Sequence, residues 1–402
     1  MNLLSLSLLI LCTASVAVAV FVCLYHLGLM AVAFFCRGKS LSRNIAPTHT
    51  FAIVIPAHDE ETTIQRTLDS CAALDYSQEK LAVYVIADNC TDRTADVARQ
   101  FGAACLVRQD EHNLGKGFAL EWALPQVLAA GHDAIVVLDA DCTLDANSLQ
   151  VLDAYLQKGL QALQMNNVVG NPDHNATSYL LAIANKLEND WFYSPKSTLG
   201  LAVNLRGTGM VLHRSILSRY PWKARSAVED AEYSYRLFRE GVVVAFVSEC
   251  RVLSDSPADR VQLTVQRTRW IGGGWHLACV QGVGLVLEGL SKRHGLLVDA
   301  GFTSFVLSRP LVLLQLLLTL ITCCALLGTA YSPMAIPLLI TTSMVATGYV
   351  FYGLTGAVLL GLTPHRISML FRLPPLVVRY VVMALLVFCS SKTVSWTRTP
   401  RS

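Results

Sequence analysis

The sequence predicts an α/β domain with a mostly parallel sheet, flanked on both sides by transmembrane helices. Residues 1–36 contain no Asp, Glu, Lys or Arg, and residues 301–402 contain seven bases and no acid. All 29 acids and the other 25 bases lie in residues 37–300, which is where we expect a soluble-type domain. Only 15% of the chain is charged, against about 25% in a typical soluble protein. This composition argues against an ordinary cytosolic enzyme and excludes a nucleic-acid-binding protein and a secreted disulfide scaffold.

Three long apolar runs predict membrane-spanning helices. Leu3–Phe35 exceeds the roughly 20 residues that a span requires, and it lacks the basic start of a signal peptide. Leu311–Tyr331 and Ala335–Leu362 form a second and third span joined by a short turn. A shorter stretch, Leu373–Phe388, carries Arg379. We favour a helix lying in the membrane interface for this stretch over a fourth span.

Basic residues predict how the chain is oriented. Arg37, Lys39 and Arg43 directly follow the first apolar run. Basic residues collect at the cytoplasmic ends of membrane helices. We therefore expect the charged domain in the cytoplasm, and the basic C-terminal tail on the same side.

Within the charged domain, short apolar runs alternate with amphipathic stretches. The predicted strands are Phe51–Ile55, Leu81–Ala87, Ala103–Val107, Ala134–Leu138 and Val242–Val247. The predicted helices are Glu60–Ala73, Thr91–Phe101, Lys116–Ala130 and Ala231–Arg239. This alternation is typical of βαβ units that form a parallel sheet covered on both faces. Ligands of such sheets bind beyond the carboxyl ends of the strands.

Acidic residues follow three of the predicted strands. Asp139 and Asp141 come directly after a buried strand, where two carboxylates can chelate one hard cation such as Mg²⁺ or Mn²⁺. Asp88 ends the second strand. Asp59 and Asp92 lie near strand ends too, but capping of the next helix explains them equally well.

Two further motifs lie on predicted helices. Glu229 and Asp230 open one helix, where they would also complement the positive end of its dipole. Gln266, Arg269 and Trp270 fall on adjacent turns of another helix. A basic amphipathic helix anchored at the membrane surface by tryptophan is the alternative interpretation of the second motif.

Taken in chain order, the motifs resemble the D, DxD, ED, QxxRW series of membrane-integrated family 2 glycosyltransferases. This group contains the cellulose, chitin, hyaluronan and poly-N-acetylglucosamine synthases. The resemblance covers about residues 50–280 and implies a GT-A fold, which is Rossmann-like. The third motif here reads Val-Glu-Asp rather than Thr-Glu-Asp, a change beside the implied base and not at it.

The resemblance implies a role for each acidic motif. Asp88 would hold the uridine of the donor, and Asp139 and Asp141 would face its diphosphate. A bound Mg²⁺ or Mn²⁺ is implied as cofactor, held chiefly by Asp141 with Asp139 beside it. Asp230 matches the general base, with Glu229 next to it.

The resemblance also implies donor and acceptor contacts. Lys116 resembles the basic residue that these enzymes place near the nucleotide sugar, although a solvated helix start explains it as well. Gly207, Thr208 and Gly209 resemble the glycine loop that lets the acceptor approach, with a plain turn as the alternative. The QxxRW residues implied beside the pyrophosphate and acceptor are Gln266, Arg269 and Trp270.

The resemblance implies an inverting enzyme that forms a β-linkage. The sugar would pass from a UDP-sugar to a growing polysaccharide or a membrane-associated acceptor. A glycosyltransferase that adds one sugar to a lipid is the alternative, and a non-catalytic sugar-nucleotide-binding subunit is more remote. Expected partners are the membrane and a further subunit or second copy, but no nucleic acid. We expect a bacterial inner membrane protein with its catalytic domain in the cytoplasm.

Five segments are predicted along the chain. They are an N-terminal transmembrane anchor (1–36), a GT-A glycosyltransferase domain (37–280), an interfacial segment (281–300), a transmembrane helix pair (301–364), and an interfacial helix with a basic cytosolic tail (365–402).

Overall fold

The computed structural model describes residues 3–35, 46–256, 260–306 and 309–389. Its contacts divide these residues into two compact units. The first contains residues 3–35, Asp173–Pro195 and the described residues from Thr303 onward, and the second contains residues 46–172 and 196–302. Asp173–Pro195 therefore groups with apolar helices rather than with the rest of the predicted domain 37–280.

A mixed sheet forms the centre of the second unit. Its described strands are β1 (Phe51–Ala57), β2 (Leu81–Asp88), β3 (Ala104–Arg108), β4 (Ala134–Val137), β5 (Cys142–Leu144), β6 (Ala162–Val169), β7 (Met210–His213) and β8 (Ala245–Ser254). They are ordered β3-β2-β1-β4-β7-β6-β8-β5 across one sheet. Parallel pairs join β1 to β2 and β4, β2 to β3, and β6 to β8. The predicted α/β class with a mostly parallel sheet is confirmed.

The apolar runs become strands because they are buried on both faces of the sheet. Residues 51–55 of β1 and all of β4 have no exposed surface, as expected for central strands covered by helices. Strand β8 begins at Ala245 rather than at Val242, because the Val242 N–H still donates to the Leu237 carbonyl of the preceding helix (3.0 Å). Three strands, β5 to β7, have no counterpart in the sequence prediction, since they are short or mix polar with apolar residues.

Among the described residues, the second unit also contains eight helices of six or more residues that lie wholly within it. They are α2 (Ile64–Ala72), α3 (Thr94–Gln100), α4 (Lys116–Ala129), α5 (Ser148–Gln157), α8 (Arg214–Arg219), α9 (Glu229–Arg239), α10 (Arg260–Leu277) and α11 (Val283–Lys292). Short helix α7 (Ser194–Thr198) and helix α12 (Gly295–Val306) run across the boundary between the units.

The first unit is built of apolar helices and one helix from the middle of the chain. They are α1 (Leu3–Phe35), α6 (Ala176–Glu188), α13 (Arg309–Leu327), α14 (Ser332–Leu360), α15 (Pro364–Leu370) and α16 (Leu373–Cys389). Tyr179, Ile183 and Leu187 of α6 pack with Tyr352 of α14 and Met369 of α15 in one buried cluster.

Four described helical segments are long and apolar enough to cross a membrane. Leu3–Phe35, Arg309–Leu327 and Ser332–Leu360 match the three predicted spans, and Gln262–Lys292 is a fourth segment that the sequence analysis did not single out as a span. Helices α15 and α16 pass the same test together but are bent by 46°, so the choice between an interfacial helix and another span stays a prediction. Arg37, Lys39, Arg43 and the basic C-terminal tail lie outside the described residues.

Candidate active site

The pairing of β4 with β7 brings two predicted motifs together. The strands are antiparallel, and Val137 lies opposite Met210. Residues that follow β4 therefore meet residues that precede β7. The Asp139 N–H donates to the Thr208 hydroxyl (3.1 Å), and the Gly209 N–H donates to the Val137 carbonyl (2.8 Å).

Lys116 lies between these two segments at the first position of α4. Its ammonium group forms an ion pair with Asp139 and donates to the Gly207 carbonyl (2.7 Å). Burial lowers the pKa of Lys116, but the negative charges of Asp139, Glu229 and nearby Asp230 outweigh it and the net pKa is raised. Lys116 is therefore a fixed positive charge inside the site rather than a solvated helix start.

Gly207 faces the predicted base. Its backbone has a positive φ of 74°, which favours glycine. A Cβ atom at this position would lie 3.4 Å from Asp230 Oδ2 and 3.8 Å from the Lys116 ammonium nitrogen. The absence of a side chain at Gly207 thus leaves space beside Asp230 Oδ2 and the Lys116 ammonium group. A plain turn would not require this space.

Glu229 and Asp230 begin α9 as an interacting acidic pair. Burial raises the pKa of Glu229 to about 7, helped by the charge of Asp230 and opposed by Lys116 and Arg269. Burial also raises the pKa of Asp230, although its bond from the Ala231 N–H opposes this effect. Glu229 therefore changes its protonation state near neutral pH.

The positive charge of Arg269, which lies on α10, lowers the pKa of Glu229 and so opposes the effect of burial. Its Nε–H is buried and has no hydrogen-bond partner within the described residues. An unsatisfied guanidinium N–H fits a bound anion such as a phosphate oxygen.

The DxD carboxylates fit a hard divalent cation. Ligand atoms of Asp139, Asp141 and Cys142 all lie within 4.8 Å of one another. Burial raises the pKa of the Cys142 thiol well above its usual range, so it remains protonated and is a poor ligand for Mg²⁺ or Mn²⁺. The two carboxylates are the donors that such an ion prefers.

Asp88 is held by a residue that the sequence analysis missed. Asp88 ends β2 directly opposite Arg108, which ends β3. Both side chains are buried, and Arg108 Nη1 donates to Asp88 Oδ1 (2.6 Å). Burial raises the pKa of Asp88 while Arg108 opposes the increase. In the part of the chain that the structure describes, Asp88 Oδ2 accepts no hydrogen bond, so one carboxylate oxygen remains for a ligand.

Asp59 and Asp92 hold the loops near Asp88 in place. Asp59 accepts the Thr91 N–H (2.6 Å), and Asp92 accepts the Glu61 N–H (3.0 Å). Helix α2 begins at Ile64, later than the predicted Glu60. The capping interpretation is wrong for both acids, because the N-cap residues of α2 and α3 are Thr63 and Arg93 and neither N-cap side chain makes a cap hydrogen bond. Asp59 and Asp92 also lie near Cys90, with ligand atoms within 4.8 Å of one another.

Three further predicted site residues are Gly209, Gln266 and Trp270. Gly209 is required by packing, since a Cβ there would lie 2.7 Å from Val252 and 2.9 Å from Met165. Trp270 is 43% exposed and its ring lies under the Arg267 guanidinium, 4.8 Å from its centroid. Gln266 is partly buried on α10. The assignment of Gln266 and Trp270 to the site stays a prediction.

Buried polar residues were the part of the site that sequence reasoning did not find. They are Arg108, Gln164 and Ser234. Arg108 could have been found from the register of parallel strands, which sets it opposite Asp88. Gln164 interrupts an apolar strand, and Ser234 lies one helical turn after Asp230.

Comparison with known proteins identifies the family. Residues 47–273 match the family described as "Glycosyltransferase like family 2". Since the match covers more than half of the 402 residues, the chain belongs to this family of enzymes. The prediction of a glycosyltransferase is confirmed.

The relatives include glycolipid synthases and a cellulose synthase. The chain is 26% identical over 249 residues to a beta-monoglucosyldiacylglycerol synthase of Nostoc, covering 60% of this chain and 52% of that protein. It is 28% identical over 272 residues to the probable glycosyltransferase YdaM of Bacillus subtilis, covering 63% of each. It is 24% identical over 305 residues to cellulose synthase 1 catalytic subunit of Komagataeibacter xylinus, covering 72% of this chain and 40% of that protein. The chain thus spans between half and two thirds of the first two relatives.

One solved structure shares the fold along most of the chain. It is a mannosyltransferase of Pyrobaculum calidifontis in complex with GDP-Man and Mn²⁺, with a TM-score of 0.57 and 16% identity. The similarity covers 92% of this chain and 98% of the mannosyltransferase. The predicted GT-A-like fold is confirmed.

The pKa of Glu229 generates a prediction for donor binding. Glu229 is protonated below about pH 7 and ionised above it. Its ionisation adds a negative charge beside the cations expected to bind an anionic diphosphate. We expect KM for a nucleotide-sugar donor to rise roughly tenfold as the pH increases from 6 to 8. The Glu229→Gln variant should lose this rise; a KM that follows the same pH curve in both proteins would contradict the assignment.

Proposed function

We propose that this chain is an inverting glycosyltransferase that transfers one sugar from a UDP-sugar to a lipid acceptor, forming a β-linkage. The observation that carries the proposal is the convergence of Lys116, Asp139, Gly207 and Asp230 around one small space. The relatives named as glycolipid synthases favour a lipid acceptor over the polysaccharide that the motifs first indicated. Synthesis of a polymer becomes the second candidate, supported by the similarity to cellulose synthase.

Asp88 supports uridine as the base of the donor. A uracil ring presents a single N–H between two carbonyl oxygens, whereas guanine presents two adjacent N–H donors. A carboxylate with Oδ1 already bound to Arg108 has one oxygen for one donor. The arrangement therefore suits uracil better than guanine.

The cations are placed to stabilise a departing diphosphate. Cleavage of the anomeric C–O bond leaves negative charge on the diphosphate, and Lys116 and Arg269 can donate charge-assisted hydrogen bonds to its oxygens. Asp141 and Asp139 would hold a divalent cation that, when bound, supplies further neutralisation as a Lewis acid. Gln266 and Trp270 we assign to the acceptor side of the donor, in keeping with their motif.

Asp230 is the proposed general base. Its Oδ1 accepts the Ala231 N–H (2.8 Å), while its Oδ2 faces the space beside Gly207. An acceptor hydroxyl in that space can transfer its proton to Oδ2 as its oxygen bonds to the anomeric carbon. One base and one displacement invert the anomeric centre, so an α-linked donor gives a β-linked product.

The flanking helices suit a membrane-bound enzyme with its catalytic domain in the cytoplasm. We propose the five predicted segments as its organisation, with Leu3–Phe35, Arg309–Leu327 and Ser332–Leu360 as spans. Attachment to the bilayer would keep the active site near a lipid acceptor. A bacterial inner membrane is the proposed location.

A donor and acceptor screen tests the proposed function. The purified chain is incubated with Mn²⁺ or Mg²⁺, a panel of radiolabelled UDP- and GDP-sugars, and vesicles that contain diacylglycerol. We expect one UDP-sugar to give a single discrete lipid product on a thin-layer plate. A ladder or material retained at the origin would support polymer synthesis instead, and a preference for GDP-sugars would contradict the role of Asp88.

The Asp230→Asn variant tests the base. Because amide and carboxylate have nearly the same shape, UDP affinity should stay within about threefold of the wild type while kcat falls about 10²- to 10⁴-fold. The measurements are calorimetric UDP binding and labelled product formation. Asp96→Asn, which alters an exposed ion pair with Arg99, is the matched control. Wild-type turnover by Asp230→Asn would rule out this base.

The Asp141→Ala variant tests the cation site. We expect it to abolish the increase in UDP affinity that Mn²⁺ gives the wild type, because a hard cation loses a carboxylate ligand. Calorimetry with and without Mn²⁺ measures this difference. Cys142→Ala should retain it, since a protonated thiol does not bind the ion. Equal Mn²⁺ dependence in Asp141→Ala and wild type would contradict the assignment.

A further inference from the structure

A buried glutamine holds the glycine loop in place. Gln164 of β6 has no exposed surface, and its Oε1 accepts the Arg206 N–H (2.8 Å). Its Nε2 donates to the Thr208 carbonyl (2.9 Å) and to the Met165 carbonyl (3.0 Å). One side chain therefore fixes the backbone on both sides of Gly207.

A buried serine ties the same loop to the helix that carries the proposed base. The Ser234 hydroxyl accepts the Leu205 N–H (2.9 Å) and donates to the Asp230 carbonyl (2.7 Å). Ser234 has no exposed surface. The loop therefore cannot move relative to the start of α9 without breaking a buried hydrogen bond.

The loop also contacts the other charged segments of the site. The Gly207 carbonyl accepts a hydrogen bond from Lys116 (2.7 Å), and the Thr208 hydroxyl accepts one from the Asp139 N–H (3.1 Å). A shift of the loop would consequently move the Lys116 ammonium group and the DxD segment together.

We propose that Gln164, assisted by Ser234, is a positioning residue that sets the place of Gly207 and Lys116 relative to Asp230 during sugar transfer. Glutamine suits this task because it offers a donor and an acceptor at once. Its neighbours in β6, Leu163 and Met165, are buried and apolar, so packing alone does not call for a polar residue here. The proposal rests on the proposed function for its catalytic consequence.

The loop geometry predicts a specific kinetic change. Gln164→Met keeps the length and volume of the side chain but removes its bonds to Arg206 and Thr208. We expect kcat to fall about 10- to 100-fold, as for a misplacement of reacting groups by about 1 Å. Kd for UDP should weaken by a smaller factor than kcat falls, because Asp88, which we assign to the uridine, is held by Arg108 on β3 (2.6 Å).

The experiment counts only protein that binds UDP. UDP-binding sites are titrated by calorimetry, and kcat is expressed per site, so that misfolded protein does not contribute. Hydrogen exchange of residues 205–209 is measured on the same samples and should accelerate in Gln164→Met and in Ser234→Ala. Ser148→Ala, which removes an equally buried hydroxyl on α5, should change neither quantity.

The Gln164→Glu variant distinguishes a positioning role of Gln164 from a packing role, because its side chain keeps nearly the same shape. It retains an acceptor for Arg206, but once ionised it sets a second carboxylate oxygen against the Thr208 carbonyl. We expect its kcat relative to wild type to increase as the pH is lowered and the introduced acid becomes protonated. Gln164→Met with wild-type kcat per UDP site, and with unchanged exchange in the loop, would overturn the proposal.

Wild-type turnover is measured in parallel. Failure of the proposed function appears as absence of transfer in the wild type, whereas failure of this inference appears as equal kcat in wild type and Gln164→Met. The exchange measurement tests the loop contacts in either case.

Discussion

The antiparallel pairing of β4 with β7 is the constraint on which the site depends. In a purely parallel sheet, the residues that precede a strand lie at the edge opposite to those that follow its neighbour. Reversal of β7 instead sets Thr208 against Asp139. The DxD segment and the glycine loop thus share one edge, although about 70 residues separate them in the chain.

The site concentrates charge of both signs in a partly buried space. Lys116 interacts with Asp139, Glu229 and Asp230 at once, and its buried ammonium is tolerated because carboxylates surround it. The carboxylates outnumber the cations, so an anionic diphosphate would meet repulsion unless further positive charge were present. This imbalance gives a physical reason why the DxD pair suits a divalent cation.

The family match and the proposed membrane spans concern different parts of the chain. The family match ends at residue 273, while the apolar helices α1, α13 and α14 lie outside it. Donor chemistry therefore follows from the matched domain. The proposed preference for a lipid over a polysaccharide acceptor rests on the relatives instead.

The sequence alone determined the class of fold and the order of the first strands and helices, and it predicted most of the charged residues of the candidate site. It could do so because buried strands must be apolar and because acids at strand ends are recognisable by position. Asp88, Asp139 and Asp141 were predicted in this way and Asp230 from the resemblance of its motif, and β1 to β4 lie close to their predicted bounds.

Only the tertiary structure decided which residues hold these groups in place. Arg108 meets Asp88 through strand register, and Gln164 and Ser234 act on the glycine loop across 42 and 29 residues of chain. No periodicity marks such residues, because a single buried polar side chain is specified by the backbone groups that it meets in space. Those partners are fixed by the pairing of strands and the docking of α9, which local sequence does not encode.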